Sequence, residues 1–223
     1  MHYRIFQILN RAEVHQVVSS LSNDLFVDGK KTASGRARHV KHNLQVDRTG
    51  ADVKERDQIV LAALRRNEDF QTFAFPRRTL LPFFSRYEPG MEYGQHVDSA
   101  IMGSANEPVR SDLAATIFLS DPGSYEGGEL VLELPIGEQE IKLEAGEAIV
   151  YSATSLHRVA PVTKGVRLAA LTWIQTSVPD DRLRAILTDL GIALRKADKG
   201  GDDDLAMMLN KSYHNLLRYA VEL

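Results

Sequence analysis

From residue 112 to residue 176 the chain alternates short β-prone runs with glycine-bearing turns, a rhythm that a helical fold cannot satisfy. Along 113–119 the odd positions Leu113, Ala115, Ile117 and Leu119 share one apolar face. Further runs follow at 129–134, 140–143, 148–152 and 166–176, with a turn-rich loop over 120–128 and a tight turn at Glu144-Ala-Gly-Glu147. Strands this short, joined by turns instead of crossover helices, pair antiparallel and close into a sandwich or barrel. A small barrel can hold one small ligand at its mouth.

Helical patterns flank this β region. After a short strand at 5–9, Asn10 caps a predicted helix reaching about Leu21, and 52–67 places Ile59, Val60, Ala63 and Leu64 on one helical face. Residues 69–75 are β-prone and end at Pro76, and 80–87 reads as a strand carrying Phe83, Phe84 and Tyr87. Beyond Pro179 helical spacing returns at 181–190 and 205–221. A charged linker at 196–204 separates the two, with Asp202, Asp203 and Asp204 as the cap and dipole partner of the second helix. A chain of 223 residues supports one sizeable core with appendages. The expected division is a domain over 1–178, its β core beginning near 80, and a C-terminal helical extension over 179–223. The apolar faces of that extension suit either a homo-oligomer contact or a cover over one sheet.

The chemistry centres on Tyr87-Glu-Pro-Gly-Met-Glu-Tyr93-Gly-Gln-His96-Val-Asp98. If 91–98 is a strand, His96 and Asp98 point to the same side. His157 stands downstream in Ser155-Leu-His-Arg-Val159, and Arg167 lies ten residues further on inside an apolar run. There is no cysteine, so any metal here is held by nitrogen and oxygen. Two histidines and a carboxylate form the facial triad of non-haem Fe(II) oxygenases, which leaves coordination positions open. Residue types and spacing alone also fit a polar strand residue, a turn aspartate, a loop histidine and a structural ion pair. The stretch 26–43, with Lys30, Lys31, Arg36, Arg38 and Lys41, is either a solvated loop or one rim of a substrate cleft. His39 and His42 read there as loop residues, not ligands.

Taken together, Val27-Asp-Gly29, Val40-Lys-His-Asn43, Arg86-Tyr87 through Asp98, Arg110-Ser-Asp-Leu113, Tyr125-Glu-Gly-Gly-Glu-Leu130, Ser155-Leu-His157-Arg-Val-Ala-Pro161, Trp173-Ile-Gln175 and Tyr213-His-Asn-Leu-Leu217 resemble the PKHD-type hydroxylases. These are Fe(II)- and 2-oxoglutarate-dependent dioxygenases whose core is related to prolyl and lysyl hydroxylases. One departure is His42, where the pattern has asparagine. The resemblance implies a double-stranded β-helix (jelly-roll) core that is mainly β with flanking helices. It implies Fe(2+) held by His96, Asp98 and His157, 2-oxoglutarate held by Arg167, and L-ascorbate as an auxiliary cofactor. It leaves the substrate, a small molecule or a protein side chain, unidentified.

The residues agree with those roles. An arginine buried on a strand is costly without an anion, and its planar fork suits a carboxylate. Alternation puts Arg167, Ala169, Leu171 and Trp173 on one face. Tyr87 is a candidate donor to the cosubstrate or to a metal ligand, with a packed core tyrosine as the other reading. Two alternatives remain: an oxidative nucleic-acid demethylase and a non-catalytic iron-binding barrel acting as a sensor. The net charge of −3 provides no overall basic field for nucleic acid, and Trp173 stands where a second arginine six residues after Arg167 would favour demethylation. No run is long enough to span a bilayer and the first residues lack a signal-peptide core, so the expected location is cytoplasmic.

Overall fold

A computed structural model describes residues 3–33, 35–48, 53–104 and 106–222. Two sheets face each other, and helices cover the outer side of the larger one. The larger runs Tyr3–Gln7, Glu147–Ser152, Leu113–Phe118, Arg167–Thr176, Phe83–Tyr87, Leu44–Val46 and Phe26–Asp28, with Pro76–Thr79 also paired to Arg167–Thr176. The smaller runs Gly137–Ile141, Leu130–Leu134, His157–Val159, Glu92–His96 and Lys41–His42. Every pairing is antiparallel in both sheets. This is the expected jelly roll, mainly β, with the C-terminal helices present.

The predicted alternation decides the layers. Leu113, Ala115, Ile117 and Leu119 pack outward with Val17, Val60, Leu64, Phe70 and Phe73 beneath the helices, joined by Ala170 and Ile174. Ala114 and Phe118 of the same strand point inward and meet Leu130, Leu132, Ile149 and Tyr151 between the sheets. The strand Leu113–Phe118 is therefore buried on both faces. Several expected elements hold with shifted ends. The first helix is Arg11–Ser19, where Asn10 accepts from the Glu13 amide and the Glu13 carboxylate accepts from the Asn10 amide. The next is Glu55–Arg66; its expected start at Asp52 lies outside the described residues.

Four expectations give way to tertiary context. The β-prone run 69–75 is the helix Glu68–Ala74. Asn67 caps it by accepting from the Phe70 amide, Phe70, Phe73 and Ala74 bury one face, and Phe75 ends it in the left-handed region at φ 44°. The described residues of 26–43 form the strand Phe26–Asp28, a 3-10 turn Gly29–Thr32, the helix Gly35–His39 and the strand Lys41–His42. Tyr125–Gly127, expected within a loop, pairs as a strand with Val162–Gly165. The expected linker 196–204 is mostly helical: Asp181–Gly200 is one helix that runs past the expected end at 190 and is closed by Gly201 at φ 72°. The second helix, Asp203–Ala220, starts at Asp202, which accepts from the Leu205 amide as expected.

The extension lies on the side of the larger sheet. Leu187 is fully buried, Thr188 donates to the Thr72 carbonyl, and Arg195 reaches both Thr72 Oγ1 and Asp69. Asp181–Gly200 thus docks on Glu68–Ala74, outside the larger sheet. The last helix packs on Asp181–Gly200 and leaves Leu205, Met207, Met208 and Tyr219 exposed.

Candidate active site

The site lies between the sheets, in a cavity of about 310 Å³. His96 ends its strand and His157 begins its own; the two are direct partners across the antiparallel pair. Their rings lie 4.3 Å apart, centroid to centroid. Asp98 is two residues beyond the end of Glu92–His96, and its carboxylate lies beside the two imidazoles as the same-side reading expects. One ligand-type atom from each of His96, Asp98 and His157 lies within 4.8 Å of the others. His157 Nε2 stands 3.9 Å from Asp98 Oδ1.

Backbone bonds select the imidazole tautomers. His96 Nδ1 lies 2.8 Å from the Gly94 carbonyl and His157 Nδ1 lies 2.9 Å from the Ser155 carbonyl. A carbonyl only accepts, so each Nδ1 carries the proton and each Nε2 keeps its lone pair for a cation. Burial, with His157 close by, depresses His96 to about 3, so it stands neutral and ready to ligate. Burial raises the Asp98 carboxyl, opposed by His157, Trp173 and Lys41. Asp98 Oδ2 and Trp173 Nε1 are nevertheless both buried without a hydrogen-bond partner. A buried carboxylate oxygen without a donor costs free energy that a metal ion would recover. The residues present therefore fit a divalent metal.

Across the cavity Arg167 is 1% exposed, and its Nε and Nη2 lack partners. It pairs in register with Tyr87, and its guanidinium sits 5.2 Å from both the Tyr87 and Phe118 rings. Leu171 and Trp173 line the same cavity, as the alternation of Arg167–Thr176 requires. A buried guanidinium with two nitrogens lacking partners and with aromatic neighbours fits an anion. Burial lifts Tyr87 to about 12, so its hydroxyl remains protonated. At 1% exposure it is a packed core residue as well as part of the lining.

Two residues of the site were not legible as such. The Tyr93 ring stacks on His96 at 3.6 Å and 17°, although a spacing of three puts residues on opposite faces of a regular strand. A bulge against His157–Val159 changes the register between them. Tyr151 meets His157 edge-on at 5.3 Å from a strand with no polar motif to mark it. Of the basic residues of stretch 26–43, Lys41 alone lines the cavity, whereas Lys30, Lys31, Arg36 and Arg38 are exposed. His39 and His42 are exposed, and His42 Nδ1 bonds the Gly90 carbonyl.

Residues 82–175 match the family model of the 2OG-Fe(II) oxygenase superfamily. The chain is 44% identical over 227 residues to a PKHD-type hydroxylase of Thermosynechococcus vestitus, covering 100% of each. It is 43% identical over 212 residues to one of Synechococcus elongatus, covering 95% of each. In structure it is similar to the viral collagen prolyl hydroxylase of Paramecium Bursaria Chlorella virus-1 in complex with 2OG, with TM-score 0.56 and 17% identity over 79% of this chain and 97% of that one. These matches lend no support to nucleic-acid demethylation or to a non-catalytic barrel. The chain belongs to the PKHD-type hydroxylases, 2-oxoglutarate-dependent dioxygenases that use Fe(2+).

Proposed function

We propose that His96, Asp98 and His157 hold the ferrous ion, that Arg167 holds the far carboxylate of 2-oxoglutarate, and that the enzyme hydroxylates a small molecule or protein side chain. The observation that carries this reading is one cavity containing both a buried His–Asp–His cluster with free ligand atoms and a buried arginine with unpaired donors. With oxygen and 2-oxoglutarate, the iron supplies the oxidation that inserts oxygen into a C–H bond while the cosubstrate loses carbon dioxide and becomes succinate.

The protein's part is orientation and exclusion of water. The Gly94 and Ser155 carbonyls hold the imidazoles in one tautomer and one plane. Tyr87 and Phe118 flank the guanidinium, and Tyr93 covers His96. Domain boundaries at 1–178 and 179–223, L-ascorbate as auxiliary reductant and a reducing, cytoplasmic setting belong to the same reading. The test incubates the ferrous protein with 2-oxoglutarate, oxygen and a cell extract, and follows succinate and one-oxygen mass gains. Both are expected from wild type and neither from His96→Ala. Equal products from the two would sink the proposal.

A further inference from the structure

Two cations line one cavity, and they come from opposite sheets: Arg167 from the larger, Lys41 from the edge of the smaller. A dicarboxylate cosubstrate that turns one end to the metal has a single carboxylate left, and Arg167 accounts for it. Lys41 is therefore unassigned. It is 5% exposed, and no carboxylate lies within ion-pairing distance of it among the described residues. Asp98 and Asp28 act on it only from beyond that distance, and burying an ammonium with no directly paired acid is costly, so a structural role would favour an acid beside it.

The lysine head is positioned by neutral acceptors instead. Its Nζ donates to Thr32 Oγ1 at 2.9 Å and to Gln45 Oε1 at 3.0 Å. The Thr32 hydroxyl is itself tied to Gln45 Oε1 and to the Gly29 carbonyl. An ammonium has three donors, so one is left for a ligand. Nζ also sits 5.1 Å from the centre of the Tyr93 ring, the ring that stacks on His96. The charge is thus one aromatic ring away from the proposed metal ligands. Elsewhere the lining is aliphatic at Val97, Ile101 and Met102, and Val97 and Ile101 are 48% and 61% exposed. The volume is at the low end for small-molecule sites, so cosubstrate and only the reacting end of a substrate share it.

We propose that Lys41, held by Thr32 and Gln45, recognises an oxyanion on the substrate, next to the aliphatic carbon that is hydroxylated. This rests on reading the cavity as the oxygenase active site. The oxyanion is a carboxylate or a phosphate; Lys41 offers a point charge that suits either.

The test uses full-length protein with Mn(II) in the metal site and saturating 2-oxoglutarate, so that Arg167 is occupied. Butyrate, butyramide and propylphosphonate are titrated calorimetrically. Either anion is expected to bind and the isosteric amide is not; whichever anion binds tighter names the oxyanion. Lys41→Gln is expected to weaken anion binding at least about tenfold, the worth of one charge-assisted hydrogen bond, and to leave 2-oxoglutarate affinity unchanged. Lys41→Arg is expected to keep the preference for anions over amide. Equal binding of butyrate and butyramide, or anion binding by Lys41→Gln at the wild-type level, overturns the inference. If Lys41→Gln does not fold, the anion–amide comparison on wild type decides alone. Failure of wild type to bind 2-oxoglutarate would sink the oxygenase reading itself, whereas retained cosubstrate binding without anion preference sinks only the role of Lys41.

Discussion

Replacing Arg167 with methionine should reverse its effect on stability according to whether 2-oxoglutarate is present. In the ligand-free chain the guanidinium is 1% exposed with two unpaired nitrogens. Exchange of an uncompensated buried ion for an apolar side chain of similar volume is worth up to about 4 kcal/mol in favour of the variant. Loss of the two cation–π contacts at 5.2 Å takes back roughly 1–2 kcal/mol. The variant should therefore match wild type or exceed it by up to about 3 kcal/mol, a rise in Tm of several degrees for a chain of this length. With ligand the variant's advantage shrinks by about 2–3 kcal/mol and vanishes or changes sign. Losing a buried charge partner costs about 2–5 kcal/mol, so the Kd for 2-oxoglutarate should rise by roughly 30- to 4,000-fold. At a concentration 100 times the wild-type Kd, wild type gains about 2.7 kcal/mol and the variant about 0.9 kcal/mol or less. Thermal unfolding of both Mn(II)-loaded proteins across a 2-oxoglutarate titration measures the crossing directly. A variant several kcal/mol less stable without ligand, yet binding 2-oxoglutarate normally, would refute the reasoning and make Arg167 a structural residue.

Gly128→Ala should damage the same end of the cavity. Gly128 sits at φ +70°, and an added Cβ would stand 3.0 Å from Arg167 Cδ and 2.9 Å from Val162 Cγ2. A fall in 2-oxoglutarate affinity together with a loss of about 1–3 kcal/mol in urea unfolding is expected; an unchanged cosubstrate affinity would count against the packing argument. Asp98→Ala should lower Mn(II) affinity by more than about 100-fold, beyond the effect of losing an outer partner of a ligand, while the metal-free fold loses no stability. Metal titration with and without the variant checks both halves. Burial pushes Lys41 down to about 8 from 10.5. Between those values the unfolded chain holds the proton and the folded chain has released it, so the lysine's cost, about 3 kcal/mol, is fully present below pH 8 and fades as pH rises to 10.5. Lys41→Met should be the more stable protein at pH 7, with the difference shrinking by pH 10. A difference that stays constant with pH would contradict the shift.

Much of the fold was written in local pattern. Alternation along 113–119 assigned the two faces of that strand, and the charged start at Asp202 capped its helix, because both depend on period and on backbone donors within a few residues. The run at 69–75 read wrongly for the complementary reason. Phe70, Phe73 and Phe75 suit a strand by residue type, yet the Asn67 cap and burial against the first helices make the segment helical. The candidate ligands His96, Asp98 and His157 and the candidate cation Arg167 could be named from residue type and spacing together with the family resemblance. That His96 and His157 are cross-strand partners could not, since pairing between positions 61 residues apart is set by the closure of the sheets. The bulge that turns Tyr93 onto His96, and the short helix at 35–39 that carries the chain from its basic loop to a buried Lys41, are likewise products of packing. The chain's own letters determined which atoms could ligate and which faces would be apolar. Only the closed double sheet decided which of those atoms share one cavity, because desolvation and convergence belong to the assembled layers and not to any one strand.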